Sequence, residues 1–354
     1  MLTSLLTFGL AFAPAFSNSD DPLEGTFFID GIHFVTADGT TSGPHDVLVS
    51  QGSIMAIGAS GGVKPTGDYH QIQVPEGETW LAYPSFYHAN WEGAFTEGAH
   101  PYSGQISDPT IGPIPAMELG NHQSLRGWER ATDRLDWNPE EGDAWRKLGF
   151  ATVQVIPEKG LVRGNASWIS LNGLPLGEAT LQAQGAFTYS LKPSNEGYPR
   201  TPMAALATLR QAMLDAQLKT RLANPALAAL QFHGTRIFLA NSAREIRNVL
   251  DLQEEFGKGE AITILGGEQA WRLASRLAKA NVGVVYALDL PKELEEEKEI
   301  SPEQRPWWKT PTRLRDERQR EMDQQVAAFQ VLFDSGVRCA LAPGDSAEKF
   351  TKDL

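Results

Sequence analysis

The residues able to bind a metal or activate water are few and unevenly spread along the 354 positions. Cys339 is the single cysteine, which excludes an internal disulfide framework, a cysteine-based zinc site and a Cys-X-X-Cys redox centre together. Any metal has to be held by His, Asp and Glu. The seven histidines form no HxH or HxxH pair. His33, His45, His70, His100 and His122 fall in β-rich or loop-rich stretches and read as surface or turn residues. His233 precedes a strand, the wrong end for a site built where parallel strands finish. His88 stands in Pro84-Ser-Phe-Tyr-His-Ala-Asn-Trp-Glu92, and in an extended strand His88 and Glu92 share a face. Farther on, Trp307-Trp308 with Arg313, Arg315 and Arg318 presents aromatic and guanidinium faces suited to sugar rings or carboxylated ligands. The plainer reading of that stretch is a helix start packed on its neighbours.

The elements that position these residues change character along the chain. Residues 1–17, MLTSLLTFGLAFAPAFS, have the apolar stretch and small residues of a secretory signal peptide, so the mature protein is expected to be secreted or periplasmic. A buried N-terminal strand or helix is the alternative. No later segment reaches the ~20 apolar residues of a spanning helix, so no membrane insertion is expected. Between residues 24 and 83, short alternating runs punctuated by Gly and Asp predict a small all-β module, with a hairpin at Ser50-Gln51-Gly52. Residues 84–150 are rich in Gly, Pro, Trp and Asn and lack periodicity, with 93–145 reading as a long loop region. After Gly149, apolar strands alternate with amphipathic helices. Strands are predicted at 151–156, 236–240, 261–265, 283–287 and 337–341, and helices at 203–222, 243–256, 268–280 and 314–333, with a charged insert at 289–312. That alternation fits either a doubly wound sheet or a (β/α)8 barrel. No G-x-G-x-x-G follows a strand, which lowers the dinucleotide-binding option. With 31 Lys plus Arg against 44 Asp plus Glu, the net charge of −13 disfavours nucleic acid as a partner.

Four local motifs resemble the amidohydrolase superfamily, in particular its imidazolonepropionase-like branch. Asp46-Val-Leu-Val-Ser-Gln-Gly-Ser-Ile-Met-Ala-Ile-Gly58 is similar to the family's entry hairpin. Pro84 to Glu92 stands where the family has its first barrel strand, P-G-x-I-D-x-H-x-H. Gly149-Phe-Ala-Thr-Val resembles the strand after the first barrel helix. Gly336-Val-Arg-Cys-Ala-Leu-Ala-Pro-Gly-Asp345 resembles the strand that presents the catalytic aspartate. The resemblance implies an α/β chain with a TIM-like (β/α)8 barrel over residues 84–354 and a small N-terminal β-sandwich. It also implies a metal-dependent hydrolase of non-peptide C–N bonds, of cyclic amide or N-acyl type, acting on a small-molecule substrate. In such an enzyme a divalent metal, zinc by donor type, lowers the pKa of bound water and a carboxylate takes its proton.

The match departs from the family where the chemistry should lie. The two metal histidines of the first strand fall on Asn90 and Glu92, and the preceding aspartate position is His88. His88 and Glu92 are therefore the expected metal ligands and Asp345 the expected catalytic carboxylate, with Trp307, Trp308 and Arg313 at the substrate. The competing reading of Asp345 is an ordinary Pro-Gly-Asp turn. Residues 236–241 and 261–267 supply no histidine. The chain also stops at Leu354, nine residues past Asp345, so the barrel is expected to be incomplete, or completed by a second chain. Hydrolysis is accordingly expected to be weak or lost, as in a pseudoenzyme. The rival expectation is a non-catalytic ligand-binding or assembly subunit on the same scaffold.

Overall fold

A computed structural model of the protein describes residues 25–36, 39–91, 93–96, 124–193, 198–218, 225–231, 234–257, 259–288, 312–343, 347 and 350. The chain divides into two compact units, Met1–Tyr87 with Glu140–Thr152, and His88–Pro139 with Val153–Leu354. The expected signal peptide lies outside the described residues.

In the first unit the alternating runs become β1 (Thr26–Val35), β2 (Thr41–Ser50), β3 (Ser53–Ala59), β4 (His70–Gln73) and β5 (Leu81–Ala82). They form one sheet in the order β3-β2-β1-β4, with β5 also paired to β1. The β2–β3 hairpin turns at Gln51 and Gly52, whose φ values of 50° and 71° are the left-handed pair a two-residue hairpin needs. Ile29, Ile32, Val47 and Ala82 are buried, and Phe34, Val49, Ile54, Ile72 and Trp80 pack on them. Asp46 is buried within this apolar setting, where its Oδ2 accepts the Gly61 N–H at 2.7 Å. The unit also takes in α1 (Asp143–Lys147), whose Trp145 meets Phe150 edge-on at 5.2 Å.

β6 (Phe86–Trp91) and β7 (Phe150–Val155) begin in the first unit and end in the second. The second continues with β8 (Val162–Asn165), β9 (Ser167–Ser170), α2 (Leu176–Ala179), β10 (Thr180–Gln182), β11 (Phe187–Ser190), α3 (Pro202–Ala216), α4 (Pro225–Ala229) and β12 (Arg236–Ala240). α5 (Ala243–Phe256), β13 (Ile262–Gly266), α6 (Ala274–Lys279), β14 (Gly283–Leu288), α7 (Thr312–Asp334) and β15 (Cys339–Pro343) follow. One sheet runs β10-β9-β7-β6 and another β15-β14-β13-β12-β11-β8. Strands β11 to β15 pair in parallel, each with the next, and β8 joins antiparallel to β11. Their spatial order follows chain order without reversal. A doubly wound sheet reverses at a switch point, and none occurs among the described strands.

The helices form for local reasons. Thr201 caps α3 by accepting the Ala204 N–H at 3.2 Å, and Pro202 opens it, where a missing N–H costs nothing. Ala205, Leu209, Ala212, Met213 and Ala216 then turn one face inward. Ser242 and Glu245 close a capping box on α5, which buries Ile246, Val249 and Leu250. These faces meet Phe187, Tyr189, Phe238, Ile264 and Leu277 in a continuous core, with Tyr189 stacked on Phe238 at 4.6 Å.

The structure adds detail in two stretches. The region 93–145 is not uniformly irregular: 3-10 turns cover Ala131–Asp133 and Pro139–Gly142, and Phe95 bridges Leu135. Residues 157–190, which carry no clear period, form β8 to β11. The four residues of β11 are all buried, two of them polar, and Thr188 is satisfied by donating from Oγ1 to the Gly164 carbonyl at 2.8 Å.

Candidate functional site

Of the expected site residues, Glu92, Trp307, Trp308 and Asp345 lie outside the described residues, and Arg313 is an exposed residue near the start of α7. His88 is described, in the middle of β6 and 1% exposed. Its Nδ1 accepts the Asn90 N–H at 3.3 Å, which leaves the proton of the neutral ring on Nε2. Burial lowers its pKa from 6.5 to about 4, so the imidazole is neutral at physiological pH. A neutral imidazole is the metal-binding form. Among the described residues, however, no three His, Cys, Asp or Glu side chains come close enough to hold a metal ion. The described donors alone do not make up a catalytic metal centre.

The strand ends that would face such a centre carry other groups. β12 runs into Asn241 and Ser242, and β13 into Gly266 and Gly267. These ends are tied to one another. The Gly267 N–H donates to the Ala240 carbonyl at 2.9 Å, and the Gln269 N–H to the Asn241 carbonyl at 2.9 Å. Gly266, at φ 104°, lies so close to the Asn241 side chain that a Cβ would sit 1.9 Å from its Oδ1. β11 ends at Ser190, whose Oγ accepts the Lys192 N–H at 3.2 Å.

A second cluster lies within the larger unit, beside the end of β7. A cavity of about 200 Å³ is lined by Phe95, Thr96, Arg126, Glu129, Arg130, Arg134 and Pro157-Glu158-Lys159. Glu129 Oε1 takes two guanidinium groups, Arg126 Nη1 at 3.2 Å and Arg134 Nη1 at 3.0 Å. These side chains are only 8%, 11% and 21% exposed in the order Glu129, Arg126, Arg134. Arg130 pairs separately with Asp133 at 3.0 Å. Beneath them Arg163 on β8 donates from Nη1 to the Pro157 carbonyl at 3.4 Å, and burial pulls its pKa down to about 10 against the opposing charge of Glu158.

Backbone contacts fix this cluster. The Arg126 N–H donates to the Val162 carbonyl at 2.8 Å and the Asn165 N–H to the Glu129 carbonyl at 2.8 Å, so residues 124–130 lie alongside β8. That approach requires glycine at 164, where φ is 94° and a Cβ would sit 2.2 Å from the Glu129 carbonyl oxygen. Thr96 closes the far side, its N–H donating to the Arg134 carbonyl at 2.8 Å. The cluster escapes a search for metal ligands or nucleophiles. Its trace in the sequence is the spacing of Arg126, Glu129, Arg130, Asp133 and Arg134, charged residues recurring three and four apart.

No protein-family model matches the sequence, and no curated protein matches it. Solved structures do. An amidohydrolase from Thermotoga maritima MSB8 is 18% identical, covers 89% of this chain and 78% of its own, and superposes with a TM-score of 0.57. An uncharacterized protein is 12% identical over 90% of this chain and 78% of its own, at a TM-score of 0.40. The A. niger ochratoxinase is 12% identical over 93% and 79%, at 0.33, and these two lower scores carry no argument. The resemblance read from the Asp46–Gly58 and Gly336–Asp345 motifs thus holds at the level of the fold: the chain has a mixed α/β fold like that of an amidohydrolase.

Proposed function

We propose that the protein is a small-molecule-binding member of an amidohydrolase-like scaffold in which hydrolysis of non-peptide C–N bonds is weak or lost. The parallel run β11 to β15 is then one wall of a TIM-like barrel, and β1 to β5 part of the N-terminal sandwich. The observation that carries the reading is the identity of the strand ends. Where the resemblance calls for imidazoles, β12 and β13 end in Asn241 and Gly266-Gly267, held by backbone bonds to each other. His88 is kept neutral in a buried setting, with one nitrogen already taken by the Asn90 amide.

The hydrolytic alternative is favoured by the fold shared with an amidohydrolase. It assigns His88 and Glu92 to a divalent ion and Asp345 to proton transfer from water. Metal analysis of the full chain after gentle purification with zinc present separates the two. The ligand-binding reading expects metal well below one equivalent and no turnover of N-acyl or cyclic amide substrates. A stoichiometric ion, together with turnover that His88→Ala abolishes, would overturn it. The same preparation tests export: mature protein recovered from the periplasm or medium should lack residues 1–17.

A further inference from the structure

We propose that the cleft at one end of the first unit's sheet, where β1 and β4 begin and β2 finishes, binds a neutral saccharide, with Tyr69 against a sugar ring and Asp68, His70 and Gln51 at its hydroxyls. The site lies wholly within residues 25–70 of the first unit, so the inference goes beyond the reading of the strand ends in the second and does not depend on it.

The topology brings these residues together. β1 and β4 pair in parallel, so both start at the same end of the sheet, and β2, antiparallel to β1, ends there and turns into β3. The cleft has a volume of about 650 Å³ and is lined by Thr26, Ser50, Gln51, Asp68, Tyr69 and His70 together with Gly25. That volume lies within the ~300–1,000 Å³ of small-ligand pockets and leaves room for two linked sugar rings. Its chemistry selects the ligand class. The lining holds one carboxylate and no lysine or arginine, so an anionic ligand would meet an unopposed negative charge. The remaining polar groups are two hydroxyls, a phenol, an imidazole and a primary amide, which between them donate and accept, as adjacent sugar hydroxyls require. Asp68 has two oxygens with which to accept from neighbouring hydroxyls. Tyr69 is 42% exposed, and its ring offers a flat apolar face for the C–H side of a pyranose.

The side chains are held before a ligand arrives. Tyr69 meets the buried Phe28 edge-on at 6.0 Å, which fixes its ring at the mouth of the cleft. His70 is the register partner of Phe27, and the two rings lie 5.5 Å apart at 31°. Gly25 leaves space for that pair, since a Cβ there would sit 3.1 Å from the Phe27 ring. Thr26 and Ser50 are register partners across β1 and β2, and their hydroxyls are hydrogen-bonded at 2.9 Å. Gln51 follows in the hairpin turn at φ 50°. Residues anchored in this way have less freedom to lose on binding, which matters most for a neutral ligand that draws nothing from charge attraction.

The experiment is isothermal titration of the full chain with maltose, cellobiose, lactose and N,N′-diacetylchitobiose. At least one should saturate a single site with an affinity of about millimolar, unchanged by added sodium chloride because the ligand is neutral. Tyr69→Ala and Asp68→Ala should each weaken it about fivefold or more, whereas Tyr69→Phe, which keeps the ring, should bind within about threefold of wild type. Tyr83→Ala, at a tyrosine 56% exposed and outside the cleft, should leave it unchanged. Circular dichroism confirms folding, and Asp68→Ala decides the matter if Tyr69→Ala fails to fold, because Asp68 is exposed whereas Tyr69 packs on Phe28. Saturation by none of the four sugars up to about 100 mM, or wild-type binding by Asp68→Ala, overturns the proposal. Tighter binding of tetramethylammonium or of inorganic phosphate overturns the assignment to a neutral ligand. A metal-loaded, hydrolytically active preparation would instead overturn the reading of the strand ends while leaving these titrations intact.

Discussion

Gly164 and Glu129 touch through backbone: the space a Cβ would occupy at 164 is 2.2 Å from the Glu129 carbonyl oxygen, and φ at 164 is 94°. Both the contact and the dihedral exclude an L side chain. Gly164→Ala must therefore push residues 126–130 off β8 or twist β8 itself. The cost is expected to be about 3 kcal/mol or more, combining left-handed strain with a clash against atoms that cannot rotate away. Urea unfolding of the full chain measures it, and the control Gly177→Ala, in α2 with nothing near its Cβ position, should be within about 0.5 kcal/mol of wild type.

The triad can be tested without touching the backbone. Glu129→Gln keeps the shape of the side chain but leaves Arg126 and Arg134 facing each other without the intervening charge. Breaking a buried ion network by removing one partner's charge costs about 3–5 kcal/mol at full burial, and somewhat less here because Arg134 is about a fifth exposed. Urea unfolding of the full chain measures the loss, which should show as a lower midpoint than wild type. A variant as stable as wild type would show that other groups already balance the two guanidinium charges.

How much of this was legible in the sequence depended on whether one physical rule dominated locally. α5 was readable to the residue because Ser242 and Glu245 mark its start and Ile246, Val249 and Leu250 keep the helical period. β12 and β13 were readable as short apolar runs. β11 was not, because Thr188 and Ser190 are polar and buried, a pattern that makes sense only once β8 supplies the Gly164 carbonyl as acceptor. The arginine cavity was hidden for a related reason. Its members come from residues 95–96, 126–134 and 157–159, and what joins them is a backbone approach that glycine permits rather than a motif. His88 was legible as a candidate, but its burial and its bond to Asn90 were not.

Asp30 gives the first unit a distinctive pH response. Burial raises its pKa above the ordinary 3.8, and the neighbouring Asp46 carboxylate raises it further. A carboxyl with a raised folded pKa supports stability fully below its unfolded value and loses that support as pH rises through the folded one. Asp30→Asn fixes the neutral form. The variant should therefore be more stable than wild type at pH 7, with the difference vanishing at pH 3. Thermal melts across that range decide it, and a variant less stable at pH 7 would mean that ionised Asp30 has a favourable partner.

His88 predicts the opposite slope in the second unit. Its folded pKa of about 4 lies below the unfolded 6.5, because burial penalises the charged ring. In the denatured chain the imidazole takes up a proton near pH 6.5 that the folded chain refuses until about 4, so the unfolded state binds more protons throughout that window. Stability is therefore complete above pH 6.5 and falls as pH drops toward 4, by about 3 kcal/mol. His88→Gln retains a polar group in the strand but cannot titrate, so its stability should be flat over the window apart from the contribution of carboxylates. Urea midpoints for both proteins between pH 4 and 7 supply the comparison. An imidazole resonance of His88 titrating near 6.5 in the folded protein would refute the argument. It would place the ring in contact with water or with a negative charge.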